Sequence, residues 1–204
     1  MHLILRLLPA LAALALAGAC SLRQEAPSVE HYVLRPPPAP AATARRAESL
    51  RVAPVRVAPS FADVQLIYRM DEVRYVSDFY HRLMAPPGAM IATQATEWLD
   101  RAGPMRFTAA PGSGAIQRYV LSLFVLELYG DFRPGQPPAA VLLVQATLSD
   151  ASRPAQAPLL ERTLRQSVPL AQSTPAALVD GYGRALGAML VELQPLLAAA
   201  LPPP

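Results

Sequence analysis

Residues 119–148 read YVLSLFVLELYGDFRPGQPPAAVLLVQATL. Tyr119 to Tyr129 is dense in Val, Leu and Phe, and Val141 to Leu148 is similar. Gly130-Asp131-Phe132-Arg133-Pro134-Gly135 and Pro137-Pro138 break the run, so the stretch reads as two strands joined in a long hairpin. Both strands are apolar on both faces for part of their length. That predicts central strands of a covered sheet.

Further elements follow on either side. Leu160 to Val168 alternates weakly and reads as another strand. Beyond it, Ser173 or Thr174 caps a helix with Pro175 in its first turn. Leu178, Tyr182, Leu186, Met189 with Leu190, and Leu193 form one apolar stripe at helical spacing. Gly181, Gly183 and Gly187 weaken that helix by up to about 1 kcal/mol each relative to Ala, and they allow close packing on a sheet. Pro195 is expected to end or kink it.

On the N-terminal side, LRVAPVRVAP from Leu50 reads as one strand, with Pro54 placing it at an edge or bulge. Leu66–Arg69 and Val73–Val76 flank Met70-Asp71-Glu72 as a hairpin. Pro86-Pro87 opens a helix that Gly103-Pro104 stops. Met90, Ile91, Ala95, Trp98 and Leu99 make its core stripe, and Trp98 reads as core rather than as a ligand platform. Met105 to Thr108 adds a short strand. The order β-β-β-α-β-β-β-α predicts an α+β or mixed α/β domain, a small mixed sheet packed with two main helices. No internal repeat is present.

The 204 residues, 52% of them hydrophobic, suffice for one domain with its own core. All 18 basic residues are Arg, and neither Lys nor Asn occurs. With 23 Pro and abundant Ala, this resembles a GC-rich coding bias. The Arg residues are scattered singly apart from Arg45-Arg46, so the net charge of +3 gives no phosphate-binding surface, and no nucleic-acid partner is expected. One Cys excludes a disulfide scaffold and argues against a redox pair or a Cys-based zinc site.

That Cys closes the N-terminal run MHLILRLLPALAALALAGAC. Arg6 supplies a positive start, Leu7–Leu16 an apolar run, and Ala17, Gly18 and Ala19 the small residues of a cleavage site. The run is too short and wrongly flanked for a transmembrane helix. A buried free thiol is the plain alternative for Cys20. The stretch resembles the lipobox of bacterial lipoproteins, with Ala17 where a Leu is usual. That resemblance implies cleavage after Ala19 and acylation of Cys20. Ser21, not Asp, follows, which in the bacterial sorting code implies the outer membrane, with the chain facing the periplasm. Two or more acyl chains give stable anchoring where one gives only marginal binding. The expected organisation is a signal peptide at 1–19, a lipidated Cys with a Pro-rich tether at 20–48, and a domain at 49–200. Pro36-Pro37-Pro38 and Pro40 favour extended polyproline in the tether. His31-Tyr32-Val33-Leu34 interrupts it as a short apolar patch that can return to the domain as an edge strand.

The search for chemistry comes out nearly empty. After the signal only His31 and His81 remain, and His81 has no carboxylate or second His at i+3 or i+4. Ser113 sits in Gly112-Ser113-Gly114, a turn and not a nucleophile elbow. No phosphate-binding glycine loop occurs, and Asp71-Glu72 reads as a solvated turn. No catalytic residue, metal or cofactor is nominated; the one expected attachment is the lipid on Cys20.

LRVAPVRVAPSFADVQLIYR at Leu50–Arg69 resembles the first strand region of the ABC-type transport auxiliary lipoproteins, which include the PqiC-like proteins. Pro59, Phe61, Asp63, Gln65, Leu66, Ile67, Tyr68 and Arg69 carry the match. His31-Tyr32-Val33-Leu34 resembles the family's Tyr-x-Leu, and DFYHRLMAPPGAMIATQATEWL its lead into the first long helix. The Trp usual in that lead is absent; Tyr80 or Leu83 stands near its place. The resemblance implies a three-layer mixed-sheet fold related to the N-terminal domain of TolB. It also implies work beside an ABC ATPase, a permease and an MCE-domain protein that carry lipids or other hydrophobic molecules. Tyr68, Arg69, Tyr80 and Arg82 are the candidate partner contacts, with Tyr68 equally compatible with the core. A homo-oligomer is left open. The rival expectation is a freestanding lipoprotein that holds a lipid in its own cavity, favoured by the apolar middle strands.

Overall fold

In the computed structural model, residues 28–41, 45–114 and 117–202 are described. In chain order the strands are β1 (Glu30–Tyr32), β2 (Arg46–Val52), β3 (Arg56–Val57), β4 (Gln65–Arg69), β5 (Tyr75–Leu83), β6 (Met105–Ala109), β7 (Tyr119–Asp131), β8 (Ala139–Asp150) and β9 (Leu160–Pro169). Helix α1 spans Pro87–Ala102 and α2 spans Pro175–Ala200.

The expected hairpin is the spine of the sheet. β7 and β8 pair antiparallel from Tyr119↔Asp150 to Asp131↔Ala139, with one bulge between Val125 and Glu127, and β9 extends the sheet beyond β8. On its other side β7 is met by three short parallel strands in succession. β2 pairs at Tyr119–Leu121, β3 at Phe124–Val125, and β4 at Gly130–Asp131. β6 pairs with β2 at one corner. At the other corner β5 pairs antiparallel with β4, and β1 pairs parallel with β5. The result is a mixed sheet of nine strands among the described residues, packed with two helices.

Pro54 explains why the expected single strand at Leu50–Pro59 is in fact two. It has no N–H to give, so pairing to β7 stops after Val52 and resumes at Arg56. Ala53 and Ala58 donate to Leu121 and Val125 (both 2.8 Å) and hold the detour against β7. A second difference lies at residues 77–83, read as a lead into the helix. They continue β5 to Leu83, and α1 starts at Pro87.

Both helices lie on one face of the sheet and touch each other; the Gln194 amide donates to the Ala102 carbonyl (2.7 Å). Leu121, Leu123, Val125 and Leu128 face them and are buried. On the opposite face no α-helix lies among the described residues, but the 3-10 turn Pro59–Phe61 stacks Phe61 on Tyr129, which like Val141 is 1% exposed, so that face is covered at one end only. Elsewhere on it Ser122 is exposed, while Phe124 and Leu126 are half-buried. Phe124 lies under side-chain cover: the Arg56 guanidinium sits 4.9 Å from the centre of its ring.

The layers are therefore sheet, helix pair, and a strap made from residues 33–40. These residues were assigned to the tether, yet β1 is part of the sheet and Leu34 is 1% exposed. Pro36, Pro37 and Pro38 run beside Trp98 and Arg101 of α1. On α2, a Cβ at Gly183 would strike the Arg35 carbonyl, and one at Gly187 would lie 2.8 Å from Pro37 Cδ. Residue 48 is likewise no boundary, because β2 begins at Arg46. Polar leader residues hid the contact, which depends on glycines about 150 positions downstream.

In α2, Thr174 is the cap: its Oγ1 accepts from the Ala177 N–H (3.2 Å). Gly181 admits the sheet; a Cβ there would lie 2.7 Å from Ala140 Cβ. The helix continues through Pro195 to Ala200. The carbonyl that Pro195 leaves without an intrahelical donor belongs to Val191, whose side is exposed to water.

Candidate functional site

The corner formed by β4, β5 and β1 gathers most of the polar chemistry and most of the exposed aromatic surface. Its organiser is Asp78. Leu66 pairs with Asp78 while Gln65 pairs with Arg82, so residues 79–81 bulge out of β5. Asp78 Oδ1 closes the bulge by accepting from the N–H groups of Tyr80 (2.9 Å) and His81 (3.0 Å). Its Oδ2 accepts from the Tyr68 hydroxyl (2.7 Å) and lies 2.7 Å from His81 Nδ1. Partial burial pushes the Asp78 carboxyl upward, but these donors outweigh it and hold the group below the usual carboxylate range. Burial, then the bond to Asp78, drives the Tyr68 phenol well above its ordinary value. The Tyr32 phenol donates to the Glu30 carboxylate, and this bond, ahead of burial, pushes it up to about 12.

Asp78 was not singled out from the sequence. The partner of His81 lies three residues behind it rather than three or four ahead. The signal was an Asp-x-x-His spacing, and on a bulge that spacing joins the two side chains as a helix turn would.

The four candidate contacts divide into two pairs. Tyr68 is half-buried, bonded to Asp78 and edge-on to Phe132 (5.4 Å). The Arg69 side chain is 17% exposed and lies in an ionic cluster. It donates to Glu72 (3.0 Å), the Asp71 carbonyl (3.1 Å) and the Tyr129 hydroxyl (3.4 Å). Arg133 extends the cluster by pairing with Glu72 (2.6 Å) and Asp131 (2.8 Å). Asp71-Glu72, read as a solvated turn, thus serves as a clasp: Asp71 accepts from the N–H groups of Val73 (3.0 Å) and Arg74 (2.7 Å). Tyr80, by contrast, stands exposed on the bulge, and Arg82, half-buried, rejoins the ladder opposite Gln65. Phe79 is 61% exposed and Tyr80 41%, with rings edge-to-face at 5.3 Å. The Arg82 guanidinium caps the Phe79 ring at 4.5 Å. Met84, 60% exposed, follows the strand.

A second concavity, of about 550 Å³, lies along the far side of α1. Gly88, Ala92 and Thr96 of the helix face Pro54, Val55 and Pro111 across it, and Glu97 stands at its rim. The Thr93 and Thr96 hydroxyls are turned back onto the Ala89 and Ala92 carbonyls (3.1 and 2.7 Å), so the trough is mainly apolar. Among the described residues no group of three His, Cys, Asp or Glu side chains is placed to hold a metal. None of the described helices is long and apolar enough to cross a membrane. Ala19, Cys20 and Ser21 lie outside the described residues.

Comparison with known proteins adds the family. The family model described as ABC-type transport auxiliary lipoprotein component matches residues 32–193. No curated protein matches the chain. Among solved structures, protein XCC0632 from Xanthomonas campestris, assigned to DUF330, is similar with a TM-score of 0.75 and 18% identity. The match covers 84% of this chain and 96% of that one. A crystal structure of an uncharacterized protein is similar with a TM-score of 0.64 and 14% identity, over 83% of this chain and 99% of the other. At such identities the likeness is one of fold.

Proposed function

Because the chain belongs to the ABC-type transport auxiliary lipoprotein family, we propose that it is a non-catalytic subunit of an MCE-type ABC transport system. In this reading the lipid on Cys20 anchors it to the outer membrane, facing the periplasm. The system moves lipids or other hydrophobic molecules between an ATPase–permease pair and that membrane, and this subunit completes the conduit. The observation that carries the reading is the family match, which runs from Tyr32 in β1 to Leu193 in α2 and so reaches every strand and both helices. The side chains support a binding role: charged groups of the β4–β5 corner pair with each other, and Phe79, Tyr80 and Met84 are exposed.

Two measurements test this. Affinity capture from gently solubilised envelopes is expected to recover an MCE-domain protein together with its permease and ATPase; capture without them sinks the transport assignment. Cys20→Ala is expected to release the chain from the membrane fraction, and a variant that stays bound refutes the anchor.

The trough beside α1 favours a second reading, a lipoprotein that carries a hydrophobic ligand itself. Its volume falls within the range of small-molecule sites, and its lining is mainly apolar. Near-stoichiometric lipid on the unacylated protein in native mass spectrometry supports this reading, and its absence favours the first.

A further inference from the structure

We propose that the β5 bulge is a membrane-contact knuckle: Phe79, Tyr80 and Met84 enter the headgroup region of the same leaflet that holds the lipid anchor. The inference rests on the anchor at Cys20 and adds an orientation to it.

Three observations point to lipid. The first is chemical. The knuckle puts two aromatic rings and a thioether side chain outside the sheet, with the Arg82 guanidinium folded over Phe79 at 4.5 Å. Such groups suit an interface, where an apolar body is buried while a polar tip or a cation remains wet. The second is electrostatic. The carboxylates of β1 and β5 beside the bulge are engaged: Asp78 accepts from Tyr68 and two backbone N–H groups and pairs with His81, and Glu30 accepts from Tyr32.

The third is the route of the chain. β1 runs parallel to β5 with Glu30 opposite His81. Going backward from Glu30, the chain passes Val29, itself 39% exposed. Cys20 lies ten positions before Glu30. That span reaches at most about 35 Å when fully extended. An anchored Cys20 therefore keeps this corner, rather than the α2 end or the β9 edge, closest to the leaflet. The bulge itself is fixed by the Asp78 bonds, so the aromatic pair is presented in advance.

The acylated full chain is reconstituted into phosphatidylethanolamine–phosphatidylglycerol vesicles doped with dibrominated phosphatidylcholine. Tyr80→Trp is the reporter, Phe79→Trp the second reporter, and Val191→Trp on the exposed side of α2 the reference. Trp98, 4% exposed in the core, gives a common background. The expected result is blue-shifted emission from residues 79 and 80 that brominated lipid quenches, with residue 191 unaffected. Vesicle flotation is read on the same samples. Protein that fails to float overturns the anchor reading and the knuckle with it. Protein that floats with residues 79 and 80 quenched no more than residue 191 leaves the anchor standing and overturns the knuckle; this is also the outcome if the surface docks on a protein.

Discussion

Replacing Gly183 by Ala separates a docked strap from a free leader by the sign of its effect. In an exposed helix interior, Gly→Ala stabilises by about 1 kcal/mol, because Ala is the better helix former. If residues 33–40 were a loose tether, the variant would gain that amount. In this fold the new methyl strikes the Arg35 carbonyl, a backbone atom that no rotamer change can move. Two responses are open, and both destabilise. The strap can lift off, exposing Leu34 from its 1% state, which costs about 1.5–3 kcal/mol for the side chain. Alternatively it stays and the helix shifts, at the usual overpacking cost of about 1–3 kcal/mol. Setting the helix gain against them leaves a net loss of about 0.5–2 kcal/mol for the first response and about 0–2 kcal/mol for the second. For a domain of this size that is a fall in Tm of a few degrees. Thermal unfolding followed by circular dichroism reads the sign, and limited chymotrypsin digestion reads the cause, as faster cutting after Leu34. A variant with raised Tm and unchanged cutting at Leu34 would show that the strap does not lie against α2.

The Asp78 carboxyl is held below its ordinary value by Tyr68, His81 and the bulge N–H groups, against the opposing effect of burial. Its contribution to stability is therefore complete above the unfolded-state pKa of about 3.9 and is lost as the pH falls through the lower folded value. Asp78→Asn is expected to cost about 1–3 kcal/mol at neutral pH, the range for a lost hydrogen bond to a charged group. It is also expected to flatten the decline in Tm below about pH 4; an acid slope equal to the parent's would mean that Asp78 is not the group responsible. For Thr174→Ala, loss of the bond to the Ala177 N–H should cost about 1 kcal/mol, read as a lower denaturant midpoint with unchanged m-value. A cost near zero would place the cap elsewhere, at Ser173.

Much of the sheet was legible because β7 and β8 are long, β-rich and separated by a Gly/Pro loop, and antiparallel pairing of neighbours needs no distant information. The two helices were equally plain from Pro at their starts and from their apolar stripes. What stayed hidden was non-local. Nothing in Tyr75–Leu83 says that β5 must carry a three-residue bulge; that follows from Asp78 competing for backbone N–H groups. The burial of Leu34 depends on Gly183 and Gly187, read from the sequence only as weak points in a helix. Of the candidate contacts, the sequence marked Tyr68 alone as equally compatible with the core and did not separate Arg69 from Tyr80 and Arg82. The register of β4 against β5 turns Tyr68 and Arg69 inward to Asp78 and the ionic cluster, and it leaves Tyr80 outside.

The docked strap also changes what a lipid anchor can do. If the whole of 20–48 were free, the domain could roam about 100 Å from the leaflet at full extension. With β1 in the sheet and Leu34 in the core, a lipid on Cys20 would be joined to the sheet by the ten positions up to Glu30, at most about a third of that reach. A short spacer raises the effective concentration of one corner of the domain at the membrane and lowers that of every other surface. Groups at that corner then need little affinity of their own to stay in contact, which is how a patch as small as Phe79, Tyr80 and Met84 can orient a whole domain. Lengthening the spacer before Glu30 with a Gly/Ser insert should weaken that orientation while leaving flotation intact. Orientation that survives a long insert would mean the knuckle binds by its own strength.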